Sequence, residues 1–157
     1  MLESTVRFQE KVATPMAKES ALTSEEKAAL QETVRERHSQ SKKSDDPQAL
    51  LAEVLAKISE MPEPDRSVAT RVHELVLGAS DKLTARTWYG MPAYYLDGKN
   101  ICFFQNPAKF KVRYATLGFS DSAKLDDGEM WPTSYAITEL TPKVEAQITE
   151  LVKRAVG

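Results

Sequence analysis

An α+β fold, a single compact domain with helices packed on an antiparallel β-sheet, is what this sequence predicts on three observations. Eleven of the twelve aromatic residues lie between Trp88 and Tyr135, the exception being Phe8, and aromatic side chains favour pleated, half-buried surfaces. Apolar residues recur at helical spacing before that stretch and again after it. Between two short apolar runs stands Asp97-Gly98, a strong hairpin signal. Helices segregated from a run of strands indicate α+β rather than a doubly wound sheet.

Taken in order, residues 1–23 lack periodicity and read as a disordered N-terminal extension, with Met1 and Met16 both open as natural starts. Ser24 ahead of Glu25, Glu26 and Lys27 reads as an N-cap with an acidic first turn. The helix it opens, to about Ser41, has little more than Leu30 and Val34 as large apolar residues. Its basic residues Arg35, Arg37, Lys42 and Lys43 suit a helix C-terminus. Residues 24–45 are therefore expected as an exposed, loosely attached helix and a polar hinge, and residues 46–157 as the compact domain.

That domain opens with Asp46 as N-cap and Pro47 at N1. Leu50, Leu51, Val54, Leu55 and Ile58 form one stripe. After the break at Met61-Pro62-Glu63-Pro64, Val68, Val72, Leu75, Val76 and Ala79 share a second face. Strands are predicted over Thr84–Tyr89, then, past a tight Gly90-Met91-Pro92 turn, over Ala93–Leu96 and Ile101–Gln105. Ile101-Cys102-Phe103-Phe104 is apolar throughout, which suggests a central strand covered on both sides. Lys111 to Thr116 alternates like a half-exposed strand. Asp121–Leu125 reads as a turn or short helix and Ser134–Thr138 as a last strand. Thr141 and Pro142 then open a closing helix with Val144, Ile148, Leu151, Val152 and Ala155 inward.

Composition narrows function mainly by exclusion. The net charge is −2: eight basic and eight acidic residues up to Asp45, thirteen and fifteen after it. That balance argues against a dedicated nucleic-acid binder. No apolar run is long enough to cross a bilayer, and the N-terminus has no apolar secretory core. The single cysteine, Cys102, permits no intrachain disulfide, so a cytoplasmic location is expected. Cys102 lies in the most apolar strand, where a thiol behaves as a small hydrophobe. His38 and His73 have no partner at metal-ligand spacing, and His73 falls at the edge of an apolar face. Phosphate-loop, dinucleotide and paired-cysteine zinc patterns are absent, so no catalytic residue is assigned.

Two charge features and one string remain. Lys99, Lys109, Lys111 and Arg113 stand against a single acid, Asp97, and Lys111 and Arg113 are expected on one face of one strand. Near Trp88 and Tyr94 this makes either an anion site or an ordinary solvated sheet face. Asp126, Asp127 and Glu129 surround Gly128; clustered oxygens suit a hard cation, though the spacing matches no calcium loop, and a solvated acidic turn is the other reading. Thr87-Trp88-Tyr89-Gly90-Met91-Pro92-Ala93-Tyr94 is the most specific string, and it reads as a rigid corner between strands.

On Trp88 to Tyr94, Asp97-Gly98-Lys99 and Cys102-Phe103-Phe104, the chain resembles the YdhG-like bacterial domains of unknown function, labelled iron chaperone or frataxin-like. In an actinobacterial-looking branch the likeness extends through Lys109-Phe110-Lys111, Arg113 to Phe119, Asp126-Asp127-Gly128, Met130 to Thr133 and the closing helix. It implies a compact α+β domain, weak carboxylate-mediated Fe(II) binding and delivery to cofactor assembly. The acidic first helix that frataxin uses is not carried over, because Pro47–Glu60 holds only Glu53 and Glu60 as acids.

A non-enzymatic binding or carrier module is therefore expected, for a small anion or for Fe(II). Its ligand residues would be Trp88, Tyr89, Met91, Tyr94, Lys109, Lys111, Arg113 and Tyr114, and its metal residues Asp126, Asp127 and Glu129. A protein-interaction module that uses the N-terminal helix as a docking arm is the alternative. No membrane or nucleic-acid partner is expected.

Overall fold

The computed structural model describes residues 23–42 and 46–157, the side chains of 37–42 excepted. The expected N-terminal extension, Lys43 and the side chains of Arg37, His38 and Lys42 lie outside what is described, and of the polar hinge expected over residues 39–46 the first four continue the helix while 43–45 lie outside the described residues. Five helices and five strands follow in the order α1 (Ser24–Lys42), α2 (Pro47–Ser59), α3 (Asp65–Ala79), β1 (Thr84–Trp88), β2 (Met91–Leu96), β3 (Lys99–Gln105), α4 (Pro107–Phe110), β4 (Ala115–Phe119), β5 (Ser134–Ile137) and α5 (Pro142–Val156). The strands form one antiparallel meander, β1-β2-β3-β4-β5. This is the α+β architecture expected. Among the described residues no helix is long and apolar enough to cross a membrane.

The local signals explain most of the boundaries. Asp46 accepts the Gln48 amide at 3.2 Å ahead of Pro47, and Thr141 accepts the Val144 amide at 3.2 Å ahead of Pro142. The first helix is capped one residue earlier than expected. Thr23 Oγ1, not Ser24, accepts the Glu26 amide at 3.1 Å. Asp97 and Gly98 take φ of 50° and 79°, the two left-handed positions of a two-residue hairpin closed by Leu96 and Lys99.

Residues opposed across the ladder share a face. Ala85, Tyr94, Cys102, Phe104, Leu117, Phe119 and Ile137 form the core face and join one buried cluster with Val54 and Ile58 of α2, Val72 and Val76 of α3, and Ile148 and Val152 of α5. No described residue of α1 belongs to that cluster, so residues 46–157 carry their own core. Ile101 joins it through a bulge: the register shifts between Tyr94 and Tyr95, and Ile101 is the extra residue of β3. The apolar run of β3 thus reflects a bulge as well as a central position, and Phe103 on the second face is only half buried. Phe103 packs 5.0 Å from Trp88 and lies over Gly118, where any Cβ would overlap its ring.

Two expectations need correction. The reversal before β2 is Tyr89-Gly90, with φ of 51° and 74°, and Met91 and Pro92 already belong to β2. Tyr89 accepts a left-handed backbone, so two residues complete the turn; the β2–β3 ladder begins at Ala93, just past the proline that lacks a donor. Lys111 to Tyr114 is not strand. Pro107 instead starts the short helix α4, Lys111 ends it with φ 53°, and β4 begins only at Ala115.

Candidate ligand-binding corner

Four of the eight expected ligand residues, Trp88, Tyr89, Met91 and Lys109, meet at the tip of the β1–β2 hairpin. Trp88, Tyr89 and Met91 line a cleft of about 270 Å³ with Phe110 and Gln105 on one side and Ala29 and Leu30 of α1 on the other. Beyond Gly90, Lys109 and Lys57 line a second cleft of about 300 Å³ with Asn106 and Met61. Helix α1 passes over the tip against β1 and α4.

Asp65 sets the position of Lys109. It is buried at the start of α3, and its Oδ2 accepts the Ala108 amide at 2.9 Å and the Asn106 side-chain amide at 3.3 Å. Those bonds clamp α4 against the domain, so Lys109 leaves a fixed turn. Its Nζ donates to Glu32 Oε2 at 2.9 Å and to the Tyr89 carbonyl at 3.4 Å. Lys57 of α2 approaches the same Glu32 oxygen at 3.4 Å and Glu60 at 3.7 Å. The Gly90 amide donates to Glu36 Oε1 at 3.1 Å. Farther along, Lys111 pairs with Glu25 at 2.6 Å.

Three carboxylates of α1 meet donors of the domain. Glu25, Glu32 and Glu36 stand at i, i+7 and i+11, with Ala29 and Thr33 buried between them, so one helical stripe faces the corner. Two carboxyls respond in opposite directions. Burial pushes Glu32 up, but Lys109 and Lys57 outweigh it and hold that carboxyl below its ordinary range. Burial dominates at Glu36 and pushes its carboxyl up, against the opposing Thr87 hydroxyl and Gly90 amide. Leu30 and Val34 of α1 stay exposed. Polar contacts, more than apolar burial, hold the helix, which is attached more specifically than its composition suggests.

The remaining expected site residues are elsewhere. Tyr94 is fully buried on the core face, its hydroxyl 2.9 Å from His73 Nδ1, so it lines no ligand site. His73 is likewise a core residue. Arg113 is exposed with its guanidinium 5.1 Å over the Tyr114 ring, and neither lines the clefts at the hairpin. Without a strand at Lys111 to Tyr114, no common face joins Lys111 to Arg113. Cys102 is buried and its thiol is pushed up to about 12 by burial, which suits packing and not nucleophilic attack.

Asp126, Asp127 and Glu129 are exposed in the loop before β5. Asp126 and Glu129 line a hollow of about 500 Å³ with Asp121 and Trp131. Among the described residues no three histidine, cysteine, aspartate or glutamate side chains come together as a metal-holding group. The residues present therefore do not fit the Fe(II) site that the family resemblance implies. A groove of about 550 Å³ between β5 and α5 is lined mainly by apolar residues such as Leu117, Ile137, Val144 and Leu151.

Sequence reading missed Glu32, Glu36, Lys57 and Asp65. The spacing of the α1 glutamates was available as a signal, but the same spacing marks any solvated helix face. No protein-family model, curated protein or solved structure matches this chain.

Proposed function

We propose that this chain is a non-enzymatic binding module that takes a carboxylate-bearing ligand at the hairpin corner. One observation carries the reading: the Gly90 amide, Lys109 and Lys57 converge on two carboxylates, Glu36 and Glu32, that come from outside the core domain. An amide on a tight turn and two ammonium groups on separate elements form a donor set matched to anionic oxygens. Trp88, Tyr89 and Met91 add an apolar wall beside it, the usual combination for a site that fixes orientation with few polar groups.

The test uses isotope-labelled residues 46–157, which hold the whole buried cluster, titrated with glutarate and followed by amide NMR. The Gly90 amide resonance is expected to move in a saturable way, and the Lys57→Ala/Lys109→Ala fragment is expected to lose that response while melting within a few degrees of the parent. A Gly90 resonance that stays fixed, or that moves equally in the lysine-free fragment, would remove the corner as a carboxylate site.

A further inference from the structure

Resting on that reading, we infer that α1 is a displaceable occupant of the corner, and that the ligand it stands in for is an acidic α-helix of a partner protein. The groups α1 presents define what such a helix must carry. Glutamates at i, i+7 and i+11 meet Lys111, Lys109 with Lys57, and the Gly90 amide, respectively. Small residues at i+4 and i+8, here Ala29 and Thr33, pass closest to the domain and are buried. Thr33 returns its hydroxyl to the Ala29 carbonyl at 3.1 Å, so it asks nothing of the corner. Gly90 is part of the recognition, because a Cβ there would overlap both the Glu32 carboxylate and the Lys109 ammonium. With glycine at this left-handed position the helix carboxylate and the ammonium both come down onto the turn, and a methyl group would make them shift.

The same structure explains why α1 can leave. It contributes nothing to the buried cluster of the domain; Val34 is exposed, and Leu30, which borders the cleft beside Trp88, is itself more than a third exposed. Its departure therefore breaks ion pairs and the hydrogen bonds that Glu36 accepts from Gly90 and Thr87, without opening the core. What keeps it in place is connection: α1 ends at Lys42 and α2 begins at Pro47, and a tether that short gives an effective concentration on the order of millimolar. A partner helix must outcompete that concentration, so the resting chain is closed and the corner responds only to a ligand with the full glutamate pattern.

The experiment uses the intact chain and a fluorescein-labelled peptide of residues 23–42 as the competing helix, read by anisotropy. In the chain carrying Glu25→Lys and Glu32→Lys, the tethered helix repels Lys111, Lys109 and Lys57, and the labelled peptide is expected to bind at least tenfold more tightly than to the unaltered chain. Adding Lys57→Ala and Lys109→Ala to the released chain is expected to abolish binding. Equal affinity for the unaltered and released chains would overturn the occupancy of the corner by α1 while leaving the corner itself intact. No binding to the released chain would overturn the acidic helix as its ligand, and if glutarate still moves Gly90 the carboxylate reading would stand without it.

Discussion

Lys109 Nζ donates to Glu32 Oε2 at 2.9 Å directly over Gly90, in the space that a Cβ on that glycine would occupy. The pair thus joins three elements that are distant in sequence: the N-terminal helix, the hairpin tip and the short helix after β3. Its side chains are about four-fifths buried, which strengthens the attraction relative to a pair in open water.

Gly90→Ala is the sharpest test of that geometry. The φ of 74° already disfavours a side chain by about 1–2 kcal/mol, and the new methyl displaces Glu32 as well. Hydrogen exchange in α1 is expected to accelerate while exchange in α3 and β3 keeps its order. Unchanged protection across residues 24–36 would contradict the contact.

The two corner glutamates give pH dependences of opposite sign. Glu32 is held below its ordinary value, so its contribution to docking is complete above the ordinary carboxylate range and is lost as pH falls through the lowered value. Glu36 is raised, so docking is favoured below its ordinary value and loses that contribution as pH rises through the raised one. Glu36→Gln removes the second dependence and keeps an acceptor for Gly90. Carbon chemical shifts of α1, followed from pH 4 to pH 8, are expected to show a docked helix that persists better toward neutral pH in the variant. Weaker docking of the variant at pH 7 would assign Glu36 a charge-dependent role instead.

In the core, burial depresses the His73 imidazole, with Glu74 opposing. A histidine that is harder to protonate folded than unfolded contributes stability that is present above about 6.5, the ordinary value, and is lost as pH falls toward the lowered one. The unfolding midpoint in urea is therefore expected to drop between pH 7.5 and 5.5. His73→Gln, which can still bond the Tyr94 hydroxyl, is expected to flatten that drop. A drop of the same size in both proteins would place its origin elsewhere.

Asp65 separates positioning from stability. Removing its carboxylate in Asp65→Ala leaves the Ala108 amide and the Asn106 side chain without their acceptor, a loss of about 1–3 kcal/mol for buried groups. Lys109→Ala leaves Glu32 with Lys57 as its remaining partner at 3.4 Å, so a loss of about 1 kcal/mol is expected. Chemical unfolding should rank the two in that order, and faster exchange at the Ala108 amide should accompany only the first. The reverse ranking would mean that α4 is held by something other than Asp65.

Much of this fold was legible because its signals are local. Asp46-Pro47 and Thr141-Pro142 carry their own caps, and Asp97-Gly98 carries its own turn. Elements failed where the deciding fact was nonlocal or weakly coded. Tyr89 in a left-handed conformation is not something that a tyrosine announces, so the expected turn starts one residue late and runs into β2. The alternation of Lys111 to Tyr114 imitates a strand, and Pro107 after Asn106 was too short a helix signal to displace it. The site was half legible: Trp88, Tyr89, Met91 and Lys109 do gather at the hairpin, whereas Tyr94 faces the core because β2 alternates. The α1 carboxylates were hidden by their ordinariness, since nothing in a glutamate's sequence position says which lysine it will meet.

The most direct measurement is amide NMR of labelled residues 46–157 on addition of the unlabelled peptide 23–42. Shifts concentrated at Gly90, Ala108 and Lys109, absent with a Glu32→Lys peptide, are the expected result and would establish the corner as a receptor for helix carboxylates. Shifts that avoid Gly90, or that are the same for both peptides, would contradict it.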